Sequence, residues 1–269
     1  MQVVQPRAIG AARLAVRKDA TGCSRIMDLR QSGSLKLVFP RQHRRDLEAI
    51  LVNTAGGITG GDVFALDVLV TDGAQLSITT QAAERAYRAQ PVETGRVETT
   101  ALVHPGAQLN WLPQELILFD HSALRRTLDI ELAPGARLLM VEPVVFGRAA
   151  MGEVLRAIRF DDRIRITRAG KPLYLDGMHL RGDATAQLAR PAVAGGAGAM
   201  ASIVFVHPNA RSLLPLMRGL LPDTAGASLI AGDVLVIRQL AQDSFALRSS
   251  LLPILDHLTN NTLPTSWRL

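Results

Sequence analysis

A single cysteine, Cys23, stands in the 269 residues, so the chain can form no internal disulfide and can build no Cys-rich metal cluster by itself. Nothing in its cysteine usage implies an oxidising compartment. Aromatic residues are only 4%, with Trp111, Trp267, Tyr87 and Tyr174 the only tryptophans and tyrosines. That is too few for the stacking platforms on which single-stranded nucleic acids are bound. Lysine occurs only at positions 18, 36 and 171, and the arginines are scattered instead of forming a basic run. The net charge of +6 therefore reads as a basic surface for an acidic partner, and no nucleic-acid partner is expected.

Long apolar runs are missing too. The longest stretch free of Lys, Arg, Asp and Glu, Pro191 to Ala210, opens with Gly and Ala and is interrupted by Pro208. It reads as a flexible loop, Ala194–Ala199 at its centre, leading into a buried strand over Ser202–Val206, not as a membrane span. The N-terminus carries Arg7, Arg13, Arg17 and Lys18 without an apolar segment, so no secretory leader and a cytoplasmic location are expected.

Motifs of nucleotide and nucleophile chemistry are absent as well. Leu51–Asp62 (LVNTAGGITGGD) has four glycines in six positions, but neither phosphate-loop spacing fits, and the following Val63–Val70 reads as a strand where a phosphate loop needs a helix. A Gly-rich hairpin or bulge is the better physical account. There is no G-x-S-x-G elbow, and Cys23 has no neighbouring histidine. The histidines, at 43, 104, 121, 179, 207 and 257, form no H-x-x-x-H or H-E-x-x-H pair, so no stable metal site is predicted.

What is present is a long series of short apolar or alternating runs. They are Leu35–Phe39, Ala49–Val52, Val63–Val70, Gln75–Thr80, Arg96–Val103, Gln108–Leu112, Leu128–Leu132, Arg137–Val141, Val154–Phe160, Arg163–Thr167, Pro172–Leu175, Ser202–Val206 and Asp233–Leu240. Turn signals punctuate them at Asp72-Gly73, Pro105-Gly106, Pro134-Gly135, Asp161-Asp162, Ala169-Gly170 and Asp176-Gly177. The expected fold is mainly β, with stacked sheets in a solenoid-like or sandwich-like arrangement. A repeat points the same way: Gly73-Ala-Gln-Leu76, Gly106-Ala-Gln-Leu109 and Gly135-Ala-Arg-Leu138, with Gly226-Ala-Ser-Leu229 as a looser copy. A few short helices are expected, mostly in the C-terminal part: Ala210–Leu221 behind Asn209, and Phe245–Leu258 behind Asp243-Ser244, the latter kinked or split at Pro253. Gln81–Arg88 also has helical composition. No linker divides the chain, so residues 1–269 are expected to form one domain.

Taken together, Leu51–Asp62, Thr80–Arg88 (TQAAERAYR), Trp111–Asp120 (WLPQELILFD) and Glu142–Glu153 (EPVVFGRAAMGE) resemble the UreD (UreH) family of urease accessory proteins in order and spacing, as does the C-terminal Ser266-Trp267-Arg268-Leu269. Ile58 and Leu116 depart from the residues more usual there. The resemblance implies a largely β, non-catalytic scaffold that binds the urease apoprotein and UreF, and through UreF the GTPase UreG. It also implies that the scaffold passes nickel towards the urease active site. No tightly bound cofactor is expected, nickel being a transient cargo. A conduit needs polar walls that bind an ion weakly enough to release it. Asp62, Glu84, Glu115, Asp120 and Glu142, inside the family-like segments, are the candidate lining residues, and Asp62→Ala is expected to impair urease activation without unfolding the chain. Asn53, Gly56, Gly57, Gly60, Gly61, Gln81, Arg85, Tyr87, Pro113, Gly147, Arg148, Gly152 and Glu153 are motif residues with structural roles, and Trp111, Phe119 and Phe146 are core or interface anchors. The alternative from residues alone is a β-solenoid-like carbohydrate enzyme using paired carboxylates, for which the shortage of aromatics counts against a sugar-binding groove.

Overall fold

The three close copies of the repeat are the corners of a coil. In the computed structural model, which describes residues 6–41 and 44–268, Gly73, Gly106 and Gly135 have φ of +70°, +68° and +78°. Each turns the chain from one sheet to the other, in a conformation that costs glycine little. The alanine after each is buried, and the corners stack through backbone bonds: Gln108 N–H to Ala74 O at 2.9 Å and Arg137 N–H to Ala107 O at 2.9 Å. The looser copy is not a corner, because Gly226 lies within a strand. Residues 1–5, Gln42, His43 and Leu269 lie outside the described residues.

The strands are β1 (Ile9–Lys18), β2 (Ser24–Gly33), β3 (Leu35–Val38), β4 (Leu47–Asn53), β5 (Val63–Val70), β6 (Gln75–Thr80), β7 (Glu84–Ala86), β8 (Gly95–Val103) and β9 (Gln108–Leu112). They continue as β10 (Leu116–Leu118), β11 (Ala123–Leu132), β12 (Arg137–Phe146), β13 (Ile158–Arg168), β14 (Lys171–Gly182), β15 (Ala199–Val206), β16 (Ala225–Ala231) and β17 (Val234–Ala241). One sheet of seven runs β14-β13-β11-β8-β5-β1-β2; the other, of ten, follows β16-β17-β15-β12-β9-β6-β4-β3, with β10 and β7 added beside β12. Successive strands β5 and β6, β8 and β9, β11 and β12 fall in opposite sheets, and each joins its counterpart of the next coil in parallel register. The fold is β-solenoid-like, closed by antiparallel strands at its edges.

Two cores result. The larger lies between the sheets, built from alternating inward residues such as Phe64, Leu66 and Val68 of β5 and Leu128, Ile130 and Leu132 of β11. The second lies on the outer face of the ten-stranded sheet, under α2 (Ala210–Leu220), α3 (Ser244–Leu258) and Trp267; α1 (Ala184–Leu188) is a single short turn. Strands β12 and β15 have a core on each side, so nearly every residue in them is buried, and their sequences are continuous apolar runs instead of alternating ones. Among the described residues no helix is long and apolar enough to cross a membrane.

Several expectations are corrected. Asp161-Asp162 and Asp176-Gly177 are not turns but lie inside β13 and β14, so the runs expected at Val154–Phe160 and Arg163–Thr167 merge in one strand, which begins only at Ile158. Cross-strand pairing overrides the local turn preference: Asp162 sits directly opposite Arg126 on β11, and Asp161 opposite His179 on β14. Gln81–Arg88 is not helical; its backbone is taken by both neighbours, with Tyr87 N–H bonding Ile58 O at 2.7 Å and Phe119 N–H bonding Ala86 O at 3.0 Å. Pro253 does not split α3, because it sits on the exposed face while Leu247, Leu251, Ile254, Leu255 and Leu258 pack inward. Asp243 caps that helix by accepting from Ala246 N–H at 2.8 Å, whereas the Asn209 side chain makes no capping bond to α2. Strands β1 and β2, which precede the first run read from the sequence, extend the seven-stranded sheet.

Candidate functional site

A polar seam crosses the larger core. On the seven-stranded sheet, the inward positions of β11 read Leu124, Arg126, Leu128, Ile130, and those of β13 read Phe160, Asp162, Ile164. On the facing sheet, β12 places Glu142 opposite Ser202 of β15, which is opposite Arg238 of β17. An ionisable residue thus occupies an apolar-type position on β11, on β12 and on β13. Burying charge this way is costly unless it is paired.

The pairing is extensive, although Glu142 Oε2 meets Arg126 as an ion pair without a hydrogen bond of regular geometry. Glu142, 4% exposed, accepts from the Trp111 indole N–H at 2.6 Å and meets Arg126 Nη1 at 2.6 Å. The other side of the guanidinium holds Asp162 bidentately, Nη2 to Oδ2 at 2.5 Å and Nε to Oδ1 at 2.9 Å. Burial works against the Arg126 charge, but Asp162 and Glu142 more than offset it and hold the group firmly protonated. Burial, together with Asp162 beside the same guanidinium, keeps the Glu142 carboxyl above the usual carboxylate range, although Arg126 and Trp111 oppose this. Further along, Asp176 of β14 accepts from Tyr174 Oη–H at 2.9 Å and pairs with Arg238. Burial and Asp176 push the Tyr174 phenol up to about 12.

Cavities follow the seam. An inner one of about 90 Å³ lies between the sheets, walled by apolar side chains and by Asn53, Thr80, Glu84, Glu98, Thr99, Gln114, Arg126 and Glu142. It is large enough for several water molecules, by a measure in which one takes about 10–15 Å³. At one end it shares Asn53, Thr80 and Glu84 with a cavity of about 140 Å³ bordered by Gly56, Gln81, Ala82, Ala83 and Arg85. At the other end Glu142 also lines a pinch of about 10 Å³ with Asp162, Asp176, Ser202 and Arg238. Beyond it lies an outer groove of about 960 Å³ that includes Arg126, Asp162, Asp176 and the exposed His179.

Of the five candidate carboxylates, the fold brings Glu84 and Glu142 to the inner cavity. Glu84 accepts from Asn53 Nδ2 at 3.1 Å and from Arg85 N–H at 3.0 Å, and burial raises its pKa above the ordinary carboxylate value despite those bonds. The other three stand elsewhere. Asp62, 4% exposed, gives one oxygen to Ala8 N–H and the other to Thr59 N–H, both at 2.8 Å, and so ties β1 to the Gly-rich turn. Glu115 is clamped by Arg248 of α3 at 2.8 Å, with the same guanidinium holding Gln114 and the Trp267 carbonyl. Asp120 accepts from the backbone N–H groups of Arg156 and Ala157 at 2.7 and 3.1 Å. None of the three lines these cavities.

The motif residues gather at one end of the coil. A Cβ on Gly57 would fall 2.2 Å from the Tyr87 ring, and one on Gly60 2.8 Å from Ala89 and Glu93. Tyr87 Oη–H donates to Gly56 O, and its ring meets Phe119 edge-on at 5.0 Å. Arg148 lies over the Phe119 ring at 4.2 Å and is held by Glu153, which also accepts from Asp120 N–H. Gly147, φ +81°, donates its N–H to Leu118 O, and Gly152, φ +61°, closes the short turn Ala149–Met151. Gly61, φ +85°, follows Gly60 before Asp62; Asn53 Nδ2 also donates to Gly57 O; Gln81 O receives Gln114 Nε2; Pro113 walls the inner cavity. Four segments far apart in sequence therefore make one continuous surface. Trp111 and Phe146 are buried, while Phe119 is half-buried within this surface.

Sequence reasoning missed Arg126, Asp162 and Asp176. The signal for Arg126 was the alternation Leu124, Arg126, Leu128, Ile130, which sets an arginine where an aliphatic belongs. Asp162 was hidden by a turn-like dipeptide. The described histidines stay at the surface or in pairs, His104 with Asp72, His121 with Asp120, and no group of three or more His, Cys, Asp or Glu among the described residues is placed to hold a metal ion.

The profile of the UreD urease accessory protein family matches residues 8–268. A urease accessory protein UreD of Ruegeria pomeroyi is 56% identical over 247 residues, covering 92% of this chain and 96% of that protein. One of Roseobacter denitrificans is 51% identical, covering 98% and 96%, and a UreD 1 of Brucella abortus is 44% identical, covering 98% and 95%. With matches of this length joined to a surface built from the four family-like segments, the chain belongs to the UreD family of urease accessory proteins.

Proposed function

We propose that this protein is a non-catalytic maturation scaffold that passes Ni²⁺ through its interior to the urease apoprotein, working with UreF and, through UreF, with UreG. The observation that carries this reading is the row of cavities that share wall residues along the seam, with the carboxylates Glu84 and Glu142 in a largely apolar wall. A dication crossing such a core must shed water, and each lost ligand has to be replaced by an oxygen of the wall. Carboxylates and amides suit that task better than thiolate or imidazole, because they hold nickel loosely. The outer groove, where paired aspartates could otherwise suggest glycan hydrolysis, has no Phe, Tyr or Trp among its lining residues.

The test is urease activity and urease-bound nickel in cells that carry the urease and accessory genes. Removing this protein should lower both. Glu84→Gln and Glu142→Gln should lower both several-fold, since each removes an anionic wall group, while the variants still co-purify with the apoprotein. Full activation with either variant, or without the protein at all, would overturn the reading.

A further inference from the structure

Between the inner cavity and the outer groove stands a cation that belongs to the protein. Arg126 separates the inner cavity from the outer groove and lines both, with Glu142 on one side and Asp162 on the other. Glu142 is buried and the other two side chains are largely covered: 14% of the Arg126 side chain is exposed, 4% of Glu142 and 8% of Asp162. Two carboxylates held a guanidinium's width apart in a poorly solvated passage would, without the guanidinium, be a chelating pair for a divalent cation. With it, the positive charge lies between the two carboxyl groups, and both Asp162 oxygens already accept guanidinium N–H groups.

We propose that Arg126 is the release residue of the path: by occupying the space between Glu142 and Asp162 it stops this pair from capturing the passing divalent ion. The inference rests on the nickel-conduit reading above. A dication can displace the guanidinium for a moment, since it offers the carboxylates two charges for one, and the returning arginine then expels it towards the outer groove or the inner cavity. A monovalent ion has no such advantage, so the same residue discriminates by charge.

The full-length chain is prepared as wild type, Arg126→Gln, Arg126→Lys and the Arg126→Gln/Asp162→Asn double variant. Nickel chloride binding is measured by equilibrium dialysis with metal analysis, and folding by circular dichroism. Arg126→Gln should bind one Ni²⁺ at least about tenfold more tightly than wild type, the effect expected from freeing two facing carboxyl groups as ligands, and the double variant should lose that gain. Arg126→Lys, which keeps the charge but cannot span both carboxylates, should gain about threefold and still fold, so it carries the test if the glutamine variant does not. Wild-type affinity in a folded Arg126→Gln or Arg126→Lys variant overturns the proposal, as does tight binding that persists in the double variant. Urease activation in cells separates the two readings. Tight capture with undiminished activation would sink the conduit; no capture, with activation still lost in Glu84→Gln, would sink the role of Arg126 alone.

Discussion

Asp62 and Glu142 are buried carboxylates and Glu84 is half-buried, and their partners make them different groups. Asp62 accepts two backbone N–H bonds, so Asp62→Ala leaves Ala8 and Thr59 N–H unpaired at the junction of β1 with the Gly-rich turn. The expected loss is about 2–4 kcal/mol, for two bonds to a charged group, seen as a lower urea midpoint with an unchanged slope. Unaltered stability would return Asp62 to the candidate lining residues. Glu84 accepts hydrogen bonds from the Asn53 amide and the Arg85 backbone N–H, and its folded-state pKa is raised chiefly by burial. The native state therefore binds this proton more tightly than the unfolded chain does. The stability it lends is complete below the unfolded value and is lost as pH rises through the raised folded value. Glu84→Gln should become progressively more stable relative to wild type across that window, measured by chemical denaturation at a series of pH values. A difference that shrinks with rising pH would contradict the assigned shift.

At the scale of elements, glycine does two separable jobs. Gly135 turns a corner at φ +78°, and a Cβ there would meet nothing within 4 Å, so Gly135→Ala should cost only about 1 kcal/mol of backbone strain. Gly57 lies under the Tyr87 ring, and the added methyl would have to move Tyr87 away from Phe119. Gly57→Ala should therefore cost about 2–3 kcal/mol, the range of overpacking, and loosen the surface where the four family segments meet. Thermal denaturation of the two variants tests the order, and equal losses would show that Tyr87 gives way freely. The same surface explains why Gln81–Arg88 is extended despite helical composition: β7 is hydrogen-bonded on both sides, to Ile58 and to β10.

For the whole molecule, the two-core arrangement sets where stability resides. Strands β6, β9 and β12 are paired on both edges, and β12 is also covered on both faces. Strands β2 and β14 bound one sheet, β3 and β16 the other. Amide hydrogen exchange should be slowest in β9 and β12 and fastest in β2 and β16, because opening an edge exposes one ladder and little core. Uniform exchange across the sheets would mean that the coil opens as one unit. This architecture also accounts for the seam. Parallel coils repeat their inward positions at one level, so a polar residue on β11 meets polar residues on β12 and β13 without any proximity in sequence.

The β character, the corner glycines, the helices α2 and α3 and the family segments were legible from the string, because turn chemistry, alternation and helix caps act over a few residues. Glu84 and Glu142 could be named as candidates for the same reason, as members of short motifs. Only the tertiary structure could decide that Asp62, Glu115 and Asp120 are tied to backbone amides or Arg248 while Arg126 and Asp162 join Glu142. That sorting depends on register between strands and on which face of a sheet a second core covers, and both are set by pairings between distant segments, such as Arg126 with Asp162 and Glu142 with Ser202. Asp161-Asp162 shows the limit: by local preference a turn, it became the middle of a strand because an arginine 36 residues earlier stood opposite it.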